Sequence, residues 1–199
     1  MAFTAKTAFE ARITNNSRDN LANIAGLFQS GSPAANADCS AGMLCVRAGR
    51  VKVEGMPASM NIYNENTWYM NAAASTVTAN DVIYACNTYD NQLISAPNGN
   101  QYFIGLDTLG LGAPAGRYCT FTRINFDGES VYRFGEGNVT ISTEGDQYFT
   151  IDDGMLVSTT SEPSTAGDIY FTLRDTGSFT EGTTASFGYY DLVACVVKA

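Results

Sequence analysis

The chain has 199 residues, a net charge of −9, a charged fraction of only 16% and no histidine. The missing imidazole excludes Ser-His-Asp, Cys-His and His-metal chemistry. Eleven cations in so acidic a chain exclude nucleic acid and an anionic membrane surface as partners. A hydrophobic fraction of 45% supplies a real core, while the charge content, against about 25% in ordinary globular chains, leaves neutral faces suited to burial in an assembly.

Residues 1–30 carry the only helical periodicity: Ala5, Ala8, Phe9, Arg12 and Ile13 share one face, and Leu21, Ile24, Ala25, Leu27 and Phe28 form a second apolar stripe. The polar break Thr14–Ser17 predicts one or two short helices. The small, polar stretch Ser30–Asp38 reads as a flexible linker, so residues 1–41 are expected to form an N-terminal arm and linker. The stripes find no partner within a short helix, which makes Phe9, Ile13, Leu21, Ile24 and Phe28 expected partner contacts.

From Gly42 the pattern switches to period two, most clearly in Arg50-Val51-Lys52-Val53-Glu54. Further strands are expected within Asn61–Met70, at Val82–Cys86, and after the turn Asn98-Gly99-Asn100. Gly105–Gly116, with four glycines and a proline, reads as a loop whose Leu109 and Leu111 are further expected partner contacts. Strands resume at Tyr118–Thr122, turn at Asp127-Gly128 toward Val131–Phe134, and end in the apolar run Leu192–Val197. No long helix separates these strands, so the expected class is mainly β: an antiparallel sandwich or barrel body over 42–199, preceded by the helix-containing arm. Tyr102–Ile104 and Tyr148–Thr150 open two loosely similar series that would divide the body at about 42–137 and 138–199. They are either a duplicated strand–loop–strand unit or two hairpins built by the same turn rules.

The five cysteines contain no CxxC pair, which leaves zinc and thioredoxin readings without support. Cys45, Cys86 and Cys195 sit in apolar runs and are expected as shielded free thiols, whereas Cys39, in the linker, should react first. The odd count fits folding in a reducing cytoplasm.

Asp127-Gly128-Glu129 and Asp152-Asp153-Gly154 match no calcium loop and read as acidic turns. Paired carboxylates could in principle serve a glycosidase, but nothing marks a cleft. The glycines of 105–112 lack the Lys-Ser/Thr of a phosphate loop. Arg47, Arg50 and Lys52 form the densest cationic cluster and read as one solvated strand and turn. Trp68, Tyr63, Tyr69 and Tyr189-Tyr190 offer aromatic faces either for cross-strand pairing or for a carbohydrate platform. No catalytic residue, cofactor or metal is expected.

The arm Ala2–Phe28, the linker Ser30–Asp38 and the turn-rich strands ending in Leu192–Val197 resemble, in style, the virion components of tailed bacteriophages, head decoration proteins above all. The resemblance implies a non-enzymatic virion structural protein that decorates or stabilises the capsid. Its partners would be its own copies, as a homo-oligomer and most often a trimer, with the major capsid protein or other virion proteins. A carbohydrate-binding or host-attachment module, or a tail component, is the alternative, with a carboxylate glycosidase behind both. No site residue carries over from the resemblance.

Overall fold

The alternation downstream of Gly42 folds as strands, and so does part of the tract with helical periodicity. The computed structural model describes residues 9–12, 23–53, 55, 57, 60, 62–87, 93–95, 101–103, 112–181 and 185–198. Strand β1 is Phe9–Arg12, β2 Asn23–Ser30, β3 Ala35–Asn36, β4 Leu44–Lys52 and β5 Tyr63–Ala72. Next come β6 (Tyr84–Cys86), β7 (Leu93–Ser95), β8 (Gln101–Phe103), β9 (Cys119–Arg123) and β10 (Val131–Gly135). The last five are β11 (Val139–Thr140), β12 (Tyr148–Asp152), β13 (Met155–Thr159), β14 (Ile169–Glu181) and β15 (Ala185–Val196).

Five strands close a barrel in the order β2-β5-β4-β6-β9, with β9 pairing back onto β2. The β2–β5 pair is parallel and the other pairs around the ring are antiparallel. Closure removes the exposed edges that an open sheet would present. A seven-stranded sheet, in the order β1-β10-β15-β14-β12-β13-β11, packs against the barrel. It is antiparallel except for β11–β13, while β7 and β8 pair as a separate ribbon.

Alternation along single strands builds two cores at once. On β4, Cys45 joins Phe28, Met70, Tyr84, Cys86, Cys119 and Phe121 in one cluster. Its neighbour Leu44 points the other way, into a second cluster with Ala85, Phe134, Phe149, Phe171 and Leu192. The edge-to-face pair Phe134–Phe171, with ring centroids 5.7 Å apart, anchors this second layer. At Gly26 an added Cβ would lie 2.5 Å from Phe121 and 2.6 Å from Met70. The wall of β2 can therefore pass that close to its neighbours only without a side chain.

Among the described residues of the expected helical arm, 9–12 and 23–30, both segments are strands and no helix forms. Ile24, Gly26 and Phe28 also satisfy period two, and on β2 they share the face turned toward Met70 and Phe121. Gly26 costs a helix about 1 kcal/mol, while a strand at this position closes a barrel and pairs on both sides. The barrel wins. The stretch expected to be a linker is itself paired: residues 31–34 form a turn, and Gln29 and Ser30 align with Asn36 and Ala35. Strand β1 aligns Phe9 with Phe134, which ties this part of the N-terminal tract to the large sheet.

Candidate functional site

Two surface features concentrate chemistry. The first lies on the β4–β5 hairpin, where the register sets Arg50 opposite Trp68 and Lys52 opposite Tyr63. A bulge between Arg47 and Gly49 shifts Arg47 toward the same indole. The Arg47 and Arg50 guanidinium carbons lie 4.6 Å and 5.1 Å from the Trp68 ring centroid, and the Lys52 ammonium is 6.0 Å from Tyr63. Each contact is worth about 0.5–1 kcal/mol at an exposed site. Beyond them Met60, Ile62 and Tyr63 stand 49%, 43% and 40% exposed, three of the five large apolar side chains found exposed among the described residues. The cations are on an exposed strand, as the alternation implied; their aromatic partners come from β5, and no local spacing on β4 could reveal them. Trp68 carries two guanidiniums on its ring, so it is not a bare platform for sugars.

The second feature is a groove with a volume of about 520 Å³, lined by Asp127, Glu129, Glu162, Tyr170, Cys195 and the segment Val196–Lys198. The Asp127 carboxylate accepts the Glu129 and Ser130 amides at 2.9 Å and 2.7 Å and the Ser130 hydroxyl at 2.7 Å. Burial opposes its charge, but these donors outweigh burial and hold its pKa below the ordinary carboxylate value. Asp127 thus maintains the turn, while Glu129 and Glu162 are exposed. The Tyr170 hydroxyl donates to Glu162. That bond, helped by burial, pushes the phenol well above its usual value. The stabilisation this favoured neutral phenol supplies is fully present below the free phenol's pKa of about 10 and is lost as pH rises through the higher folded value. Tyr170→Phe is accordingly expected to melt with a weaker alkaline dependence than the parent chain. Identical slopes on the two sides of that pKa would contradict the role given to this bond.

Four thiols, Cys39, Cys45, Cys86 and Cys119, share the barrel cluster, with the Cys86 and Cys119 sulfurs 3.7 Å apart and every cysteine free. Cys39 is fully buried, its N–H and C=O each bonded to Ala113 at 2.8 Å, because the supposed linker is folded into the barrel. The expectation that Cys39 reacts first is therefore corrected. Cys195, half-buried in the groove, is the accessible thiol, although burial raises its pKa and the carboxylates of Glu162 and Asp127 add to the shift. Limited labelling of native protein should mark Cys195 before any barrel cysteine, as read by peptide mass mapping. Early labelling of Cys39 would show that the barrel end opens freely.

The expected partner contacts are dispersed. Phe28 is 5% exposed within the barrel, and Ile24 is half-buried against the same cluster. Phe9 lies on β1, and Ile13, Leu21, Leu109 and Leu111 fall outside the described residues. Tyr189 lies under the Arg133 guanidinium, 3.6 Å from its carbon, and Tyr190 packs near Phe149 in the inter-layer core. Among the described residues no group of three or more His, Cys, Asp or Glu side chains could hold a metal ion, and no helix is long and apolar enough to cross a membrane. Compared with known proteins, the chain matches no family model, no curated protein and no solved structure.

Proposed function

We propose that the chain is a non-enzymatic structural subunit of a tailed-phage virion, of the head-decoration type, acting through contacts with its own copies and with the capsid shell. The observation that carries this reading is the β4–β5 hairpin and its connection, which carry three cations and three exposed apolar side chains on an otherwise acidic chain. Exposed apolar groups grouped in this way are worth keeping only if a partner covers them. The sparse charge of the whole chain supports the same reading, because neutral faces cost little to desolvate at an interface. A closed homo-oligomer accords with the preference of soluble assemblies for closed symmetry, and the resemblance to head decoration proteins would make it a trimer at a symmetry point of the lattice.

Mass spectrometry of gradient-purified particles tests it. Peptides of this chain should appear at a fixed ratio to the major capsid protein, from a gene lying beside capsid, scaffold or protease genes. A gene among tail genes would move the subunit to the tail, and absence from purified particles would defeat the reading.

A further inference from the structure

The hairpin and the groove are of opposite character. From Leu44 to Ala72 the chain holds three cations, Arg47, Arg50 and Lys52, against two acids, Glu54 and Glu65, within a molecule of net charge −9. A long polyanion would be repelled by that overall charge and would find only three contacts here. The hairpin instead fits a compact acidic protein surface with apolar ground between its carboxylates. The groove offers that surface: Glu129 and Glu162 are exposed along it, beside Asp127 and one cation, Lys198, so acids outnumber the cation three to one, and Tyr170, Val196 and Val197 form the less polar lining. A guanidinium resting on an indole keeps its in-plane N–H donors for such a carboxylate.

We propose that the cationic-aromatic face of the β4–β5 hairpin (Arg47, Arg50, Lys52 and Tyr63) docks into the Glu129–Glu162 groove of a second copy of the chain. The inference rests on the self-association in the functional reading above and assigns the surfaces that perform it. Tyr63 and Ile62 would lose their exposure over the Tyr170–Val197 lining, and the arginines would pair with the two glutamates. Each copy carries one hairpin and one groove, so the contact is heterologous, and the angle between the two surfaces decides which ring closes.

Charge reversal of the full-length chain tests this, read by sedimentation velocity and light scattering. The parent chain is expected to associate at low salt and to weaken steeply as salt is raised. Arg47→Glu with Arg50→Glu, or Glu129→Lys with Glu162→Lys, should each raise the dissociation constant at least about tenfold, the equivalent of about 1.4 kcal/mol. Circular dichroism should match the parent in both cases. Mixing the two reversed proteins should restore association between unlike copies, because each then offers a hairpin complementary to the other's groove, while a ring of three keeps one mismatched contact. An oligomer indifferent to salt, or to reversal on either side, would overturn the docking and leave self-association standing. A parent chain that stays monomeric at high concentration would overturn both. Should a reversed variant misfold, the salt dependence of the parent chain still decides.

Discussion

Asp191→Ala is expected to cost about 3 kcal/mol, the lower end of the roughly 3–5 kcal/mol seen when one partner of a buried ion pair is removed. Arg133 on β10 and Asp191 on β15 are directly opposite in register. The guanidinium donates through Nε to Oδ1 and through Nη2 to Oδ2, both at 2.8 Å. Side-chain exposures of 18% and 10% place the pair mostly out of water, and the Tyr189 ring covers the guanidinium at 3.6 Å. Removing the carboxylate takes the bidentate acceptor from a guanidinium covered by the Tyr189 ring, where water reaches it poorly. For a chain of this size, where about 1 kcal/mol moves the midpoint by about 2–4 °C, Tm should fall by about 6–12 °C. The double change Arg133→Met with Asp191→Leu should recover part of that loss, since it removes both members of the ion pair together. If Asp191→Ala melts within a degree of the parent, the pair is a surface ornament and β10 is held to β15 by its ladder alone.

The pair illustrates which parts of the molecule were legible along the chain. Arg133 and Asp191 are 58 residues apart, and each by itself looks like an ordinary polar position on an alternating strand. Only the β10–β15 register brings them together. The same holds for Glu162 with Tyr170 and for Trp68 with Arg47: the residue types were visible, the pairing was not. What could be read locally was the strand class of the body. Arg50-Val51-Lys52 alternates because Val51 is buried while its neighbours face water, and Val131–Phe134 and Leu192–Val197 became β10 and most of the end of β15.

The helical reading fails over residues 23–30 for a physical reason that a single sequence conceals. Ile24, Leu27 and Phe28 fit a helical stripe, and Ile24, Gly26 and Phe28 fit a strand face equally well. Over so short a segment, tertiary context decides between the two periods. Here that context is Met70 and Phe121, whose side chains occupy the space a Cβ at position 26 would need. Cys39 was misjudged for a related reason. Its small, polar neighbours suggest a linker, yet the backbone of residues 39–43 is bonded to Ala113 and Cys86, which makes it part of the barrel wall.

That seal makes Gly112→Ala the second large expected effect. Gly112 has φ +82°, a conformation that disfavours any Cβ, and an added Cβ would fall 1.9 Å from the Cys39 carbonyl oxygen and 2.5 Å from the Ala41 nitrogen. Both obstacles are backbone, so no side-chain rotation relieves them. Left-handed strain contributes about 1–2 kcal/mol. Moving the strands apart would also weaken the reciprocal Cys39–Ala113 bonds of 2.8 Å, each worth about 0.5–1.5 kcal/mol. The expected loss is about 2–5 kcal/mol, or a fall in Tm of about 4–20 °C at about 2–4 °C per kcal/mol. Gly116→Ala separates the two causes. Gly116 has a similar φ of +75°, but its nearest neighbour is the Asn36 amide nitrogen at 3.7 Å, so it should show strain alone, about 1–2 kcal/mol. Opening of the seal adds an independent signal, because Cys39 should become reactive in Gly112→Ala and stay shielded in Gly116→Ala. Equal losses for the two variants, with Cys39 protected in both, would mean that the close approach at Gly112 contributes nothing and that the barrel end is closed by other contacts.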